Sequence, residues 1–216
     1  QPLQSLGGTL PATILVLLVE AVIWCFGLHG SSIVSSVMNP IWFAQSAENL
    51  AAFEAGLAMP HIVNYQFISF FVKLGGVGAT LSLTLLCLFK AKSDQYRALG
   101  KLGIGASLFN INEPIIFGFP IVLNPMMMIP LILANISVGI VTYLAIYLGL
   151  VPMINEINLP YTIPAVISGF MISGWQGALL QVVLLLLTGL IYYPFFKAQD
   201  KQAFIEEQAK KEALLD

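Results

Sequence analysis

The chain has 216 residues, 58% of them hydrophobic and 9% charged, with a formal net charge of −2 and a mean hydropathy of +0.87. A soluble domain carries about 25% charged residues, so this composition points away from water-soluble classes and toward the membrane. The small net charge offers no footing for a nucleic-acid partner.

Apolar runs are continuous, without the period-two alternation of a lipid-facing barrel strand. The fold class expected is all-α, a polytopic helical membrane protein, because lipid offers no partners to bare backbone groups. The sequence begins at Gln1 with no basic leader, which reads as a fragment or a processed form.

Residues 10–28, "LPATILVLLVEAVIWCFGL", are long enough to span a membrane. They carry Glu20, read as a packing or helix–helix hydrogen-bonding residue. Region 29–60 is apolar yet interrupted by "NP" at 39–40. A second span is expected over 62–89, with "GGVGAT" in its middle. Next comes the basic loop "KAKSDQYRALGK", residues 90–101. Segment 102–125 is broken by three prolines, spans follow over 126–151 and 176–196, and the stretch 152–175 between them holds three more prolines. Residues 198–216 form a charged tail, expected as a short helix or frayed end.

Eight of the nine basic residues lie in the 90–101 loop or after residue 196, and residues 102–196 contain none. Loop and tail are therefore both expected in the cytoplasm. An even number of crossings must separate them, which spans 126–151 and 176–196 satisfy. Segments 29–60, 102–125 and 152–175 must then enter and leave one face, as re-entrant hairpins. Broken backbone at membrane depth is tolerated only where it is buried in protein or lines a wet cavity, and interrupted segments point to a transporter's binding site.

Within "FNINEPIIFGFPIVLNP", residues 109–125, stands Glu113. Locally it suits a helix start, with Asn112 as cap and Pro114 in the first turn. A carboxylate near the bilayer centre nevertheless costs at least ~2.5 kcal/mol, and its own segment holds no cation. An acid flanked by the amides of Asn110 and Asn112 suits sugar hydroxyls, which both donate and accept.

His29, between Gly27 and Gly30 and followed by Ser31 and Ser32, is either a solvated interface residue or a second wall of that cavity. His61 reads as a cap or interface residue. Lys73 is a snorkelling lysine, a partner of Glu54 or Glu48, or a counter-charge near Glu113. Trp24 is a candidate platform for the apolar face of a pyranose, with Tyr161 as second choice. Cys25 and Cys87 lie in apolar runs and read as small hydrophobes without a disulfide. No phosphate loop, nucleophile–base pair or metal cluster is visible, so no cofactor is expected.

"NINEPIIFGFPIVLNP", "GGVGATLSL" and the basic loop after it closely resemble the membrane-embedded IIC component of bacterial sugar phosphotransferase systems, lactose/cellobiose/chitobiose type. The resemblance covers nearly the whole chain and matches the C-terminal half of such a protein. It implies a permease of the bacterial inner membrane, multi-pass and homodimeric through the N-terminal half. Such a permease binds a beta-linked disaccharide. It presents the 6-hydroxyl to a separate IIB subunit that carries the phosphoryl group on its own cysteine. By this resemblance Glu113 and His29 line the sugar site near that hydroxyl; a deep acid there can orient the hydroxyl and is a candidate acceptor for its proton. The family pattern assigns no role to Lys73. The competing expectation is a proton- or ion-coupled secondary transporter with Glu113 as carrier; a membrane enzyme with its own active site is weaker still.

Overall fold

The computed structural model describes residues 8–154 and 159–213, and every regular element among them is helical. The first residues of the expected transport half, part of the 152–175 segment and the end of the tail lie outside the described residues. In order, α1 is Leu10–Cys25, α2 Gly30–Glu54, α3 Leu81–Lys90, α4 Asp94–Leu108, α5 Glu113–Gly118, α6 Pro125–Tyr147 and α7 Ile167–Ala213. Between α2 and α3 lie a π-helical segment, Phe67–Val72, and a 3-10 turn, Val77–Ala79.

Start signals in the sequence operate where they stand. Thr9 caps α1 by accepting from the Ala12 N–H, and a proline follows in its first turn. Asn124 does the same for α6 before Pro125. Proline is tolerated there because those N–H groups have no helical partner anyway. Pro40, where a break was expected, lies inside the continuous 25-residue helix α2. One lost backbone hydrogen bond does not end a helix of this length.

By length and composition α6 and α7 can cross a bilayer, and the bent pair Phe67–Ala79 and Leu81–Lys90 can count as a third, broken crossing. Helix α1 has 16 residues, about 24 Å at 1.5 Å per residue. Large exposed side chains such as Leu15, Leu102, Leu186 and Leu190 cover the outside, as expected of lipid-facing surface rather than of a soluble monomer. Close helix contacts use glycine: a Cβ on Gly139 would sit 2.4 Å from the Leu17 side chain, and one on Gly177 would sit 2.3 Å from the Gly169 carbonyl. Small residues at such crossings let backbones approach without a hydrophobic driving force.

Residues 62–89, expected as a single span, are helical in three pieces with a 51° bend. The cause is "GGVGAT": Gly75, Gly76 and Gly78 all take positive φ, which glycine adopts without steric penalty. Side chains from distant segments satisfy the freed backbone. Asn110 accepts from Gly75 N–H at 2.8 Å, Asn135 from Gly78 N–H at 3.0 Å, and the Tyr192 hydroxyl donates to the Gly78 carbonyl at 2.8 Å. Helix α7 is interrupted similarly at Ser173 and Gly174, inside "ISGW". Gln181 accepts there from Val166 and Gly169 N–H and donates to the Phe70 carbonyl.

Helix α7 runs on into the tail and meets the basic loop. Asp200 accepts from Lys92 and Ser93 N–H, and Glu207 accepts from the Ser93 hydroxyl and from Asp94 and Gln95 N–H. Two carboxylates thus cap the start of α4, whose unpaired N–H groups and dipole favour negative charge. Cys25 and Cys87 are buried free thiols.

Candidate functional site

A cleft of about 360 Å³ with polar lining lies between the start of α2, the broken 67–77 segment and the 110–113 motif, with Tyr161 at its edge. Its size falls within the roughly 300–1,000 Å³ of small-molecule sites. The lining is rich in hydroxyls and amides, with Glu113 and Lys73 as its charged groups.

His29 reaches the site because the chain ends α1 with Gly27 at φ 80° and restarts at Gly30. A Cβ on Gly30 would lie 2.3 Å from the Glu20 carbonyl, so only glycine permits that close return. The His29 side chain caps its own helix, its Nδ1 accepting from the Ser32 N–H at 3.1 Å. A nitrogen that accepts from an amide carries no proton, so the ring is neutral with its proton on Nε2. That Nε2 lies 3.2 Å from Glu113 Oε1. The imidazole therefore donates to the carboxylate and holds it in place. Glu113 is about 42% exposed, leaving acceptor sites open to the cleft. The Ser32 hydroxyl, 2.8 Å from Nδ1, serves as a second donor to that nitrogen.

Asn112, the residue before Glu113, lines the cleft and is almost buried. Its amide donates a long 3.5 Å contact to the Val77 carbonyl. Gly76 makes room for it, since a Cβ there would meet the Asn112 side chain at 2.4 Å.

Trp24 needs correction as a ligand platform, and Asn110 has a second task. Asn110 borders the cleft, but its amide is committed to backbone. It accepts from Gly75 N–H and donates to the carbonyls of Tyr161 and Ile163 at 2.6 and 3.0 Å. Broken backbone needed those partners, and Asn110 supplies them as a staple between segments. Trp24 offers no face to a ligand: it is 1% exposed and absent from the lining. Its ring packs 4.5 Å from the His29 imidazole, and its Nε1 donates to the Ser31 hydroxyl at 3.2 Å. It supports His29 from behind, because α1 turns that face inward.

Lys73 pairs neither with Glu48 nor with Glu54 but with Glu20, Nζ to Oε1 3.2 Å. Glu48 is taken by His61.

A model of the family described as "Phosphotransferase system, EIIC" matches residues 3–135. The chain belongs to that EIIC family. It is 42% identical over 208 residues to the lichenan permease IIC component of Bacillus subtilis, covering 95% of this chain and 46% of that one. It is also 42% identical over 213 residues to the cellobiose-specific EIIC component of Geobacillus stearothermophilus, covering 97% and 47%. The crystal structure of the transporter ChbC, the IIC component from the N,N'-diacetylchitobiose-specific phosphotransferase system, superposes with a TM-score of 0.92 at 40% identity. It covers 96% of this chain and 48% of that one. The chain thus spans about half the length of the curated relatives it matches.

In this EIIC chain the cleft also contains groups that the sequence reading passed over: Ser35, Asn39, Trp42, Tyr65 and Ser69. A signal for some of them was present. Ser32, Ser35, Asn39 and Trp42 recur at three- and four-residue intervals, so they form one stripe on α2. A polar stripe on a helix in an apolar chain marks a wet face.

Proposed function

We propose that the chain is the sugar-binding half of a permease in the bacterial cell membrane that takes a beta-linked disaccharide. The names of its relatives, a lichenan permease, a cellobiose-specific component and an oligo-beta-mannoside-specific component, support a beta-linked sugar. The observation that carries the reading is the Glu113 carboxylate, braced by a neutral His29 in a cleft of hydroxyls and amides. An ionised acid offers only acceptors, and sugar hydroxyls are the donors that suit it.

In this reading the 6-hydroxyl lies against Glu113 and faces a phosphorylated IIB partner. The hydroxyl oxygen attacks phosphorus, the new O–P bond forms as the partner's S–P bond breaks, and the thiolate leaves. Glu113 takes the hydroxyl proton. The chain positions the acceptor; the phosphoryl group arrives with the partner. Transport proceeds as this half shifts against its complement.

The test is uptake of labelled cellobiose into vesicles. Net accumulation should require the phosphorylated partner and be indifferent to a proton gradient. Accumulation driven by the gradient alone would make Glu113 a proton carrier instead. Loss of binding in Glu113→Gln with the fold retained supports the acceptor role; wild-type affinity removes it.

A further inference from the structure

Lys73 is a charged group of the cleft that the reading above leaves unused. It follows directly on the π-helical segment and has left helical geometry, at φ −93° and ψ 55°. Its side chain is 20% exposed and lines the same cleft as Glu113. On the other side its Nζ meets Glu20 Oε1, whose carboxylate is 1% exposed. The contact is an ion pair by distance, yet among the described residues neither Glu20 oxygen has an aligned hydrogen bond. A buried carboxylate thus anchors the ammonium from one side, and an ammonium has three N–H groups, so donors remain for the cleft.

The kind of donor gives this meaning: the hydroxyls and amides of Ser35, Asn39, Tyr65 and Ser69 are all neutral. Sugar oxygens need donors as well as acceptors. The His29 N–H is directed at Glu113, and the Asn110 amide N–H bonds are spent on backbone carbonyls. The lysine ammonium is the strongest donor in the cleft, because charge-assisted hydrogen bonds are about twice as strong as neutral ones. Glu20 also lies one helical turn before Trp24, which supports His29. One face of α1 therefore backs both polar walls of the cleft.

We propose that Lys73 is a sugar-contacting residue that donates to an oxygen of the disaccharide, and that Glu20 is the positioning residue that aims it. This rests on the cleft being a sugar site.

The test uses the purified full chain in detergent, with cellobiose as the probe, calorimetric titration for affinity and thermal unfolding for fold. Lys73→Met should weaken binding about tenfold or more and lower the melting temperature, because it strands the Glu20 carboxylate. The pair Glu20→Gln with Lys73→Met removes both charges. It should regain melting temperature yet keep the weak binding, since the donor is still gone. Glu20→Gln alone should weaken binding by a smaller factor, because the ammonium loses its anchor but remains. A pair variant with wild-type affinity overturns the proposal and leaves the ion pair as a joint between segments.

Should the variants fail to fold, the wild type still decides. Acetylation of Lys73 by a small amine reagent, followed by mass spectrometry, should slow severalfold under saturating cellobiose while Lys101 is unaffected. No slowing overturns the proposal. A wild type that binds neither cellobiose, lactose nor chitobiose overturns the sugar reading and this inference with it. A wild type that binds and responds to Glu113→Gln, but not to the Lys73 variants, overturns this inference alone.

Discussion

His29 and Glu113, 84 residues apart, meet at 3.2 Å with the imidazole Nε2 facing the carboxylate. The Ser32 N–H on Nδ1 fixes the tautomer, so this is a neutral donor bracing an anion. Two groups that act on one ligand give non-additive energies. Glu113→Gln and His29→Ala should each weaken cellobiose binding, the former by about ten- to a hundredfold, as befits a lost charged hydrogen bond of about 1.5–3 kcal/mol. The double variant should lose less than the sum. Titration of all four forms gives the answer, and strict additivity would separate the two residues. A 6-deoxy sugar should bind the wild type more weakly and be nearly indifferent to Glu113→Gln.

Trp24 acts through His29, so its effect should depend on His29. Trp24→Phe keeps a ring but loses the bond to Ser31. It should weaken cellobiose binding in the wild type and change little in a His29→Ala background. Equal effects in both backgrounds would mean direct sugar contact. Trp24→Ala, which empties a buried indole site, should cost about 3–5 kcal/mol of stability.

Gly76 and Gly56 make a matched pair. Both have positive φ, but a Cβ on Gly76 would strike Asn112 at 2.4 Å while one on Gly56 meets nothing within 4 Å. Gly56→Ala should cost about 1–2 kcal/mol, the left-handed penalty alone. Gly76→Ala should cost more and also lower sugar affinity, because the displaced Asn112 adjoins Glu113. Melting temperatures and titrations on the two variants settle this; equal losses would show that the contact is relieved freely.

Loop and tail should lie on one side of the membrane, since Asp200 and Glu207 bond directly to the start of α4. Cysteines placed at Ala98 and Gln202, both exposed, should react with an impermeant maleimide from the same side. Native Cys25 and Cys87 are buried and should stay silent. Labelling from opposite sides would refute both the shared face and the docking of the tail.

Glu207 gives this docking a pH dependence. The Ser93 hydroxyl, then the Gln95 and Asp94 N–H groups, hold its carboxyl below the ordinary glutamate range, against a smaller upward push from burial. A lowered folded pKa means that the unfolded chain binds the proton first as pH falls. The contribution is therefore complete above the ordinary range and is lost as pH drops through the lowered value. Hydrogen-exchange protection at Asp94 and Gln95, taken relative to the intrinsic rate at each pH, should fall over that acidic interval. In Glu207→Gln it should be low already at neutral pH, and an unchanged profile would count against the cap.

Much was legible in the sequence because it depends on local pattern. Apolar runs without alternation dictate helices in lipid, and polar residues before prolines, such as Thr9 and Asn124, favour helix starts. Glu113 could be proposed from an acid with no cation in its own segment, and His29 from its flanking glycines and serines and the family resemblance, although nothing in the sequence gives their distance. Asn110 and Trp24 show the limit. An amide beside Glu113 reads equally as ligand or staple until Gly75, Tyr161 and Ile163 are known to face it. A tryptophan five residues before His29 reads equally as platform or support until the direction of the α1 face is known. Lys73 found Glu20 rather than Glu48 or Glu54 for the same reason. Helices and caps are set within a few residues of chain, whereas the partner of a buried polar group is set by where separate segments cross, and only the tertiary structure decides that.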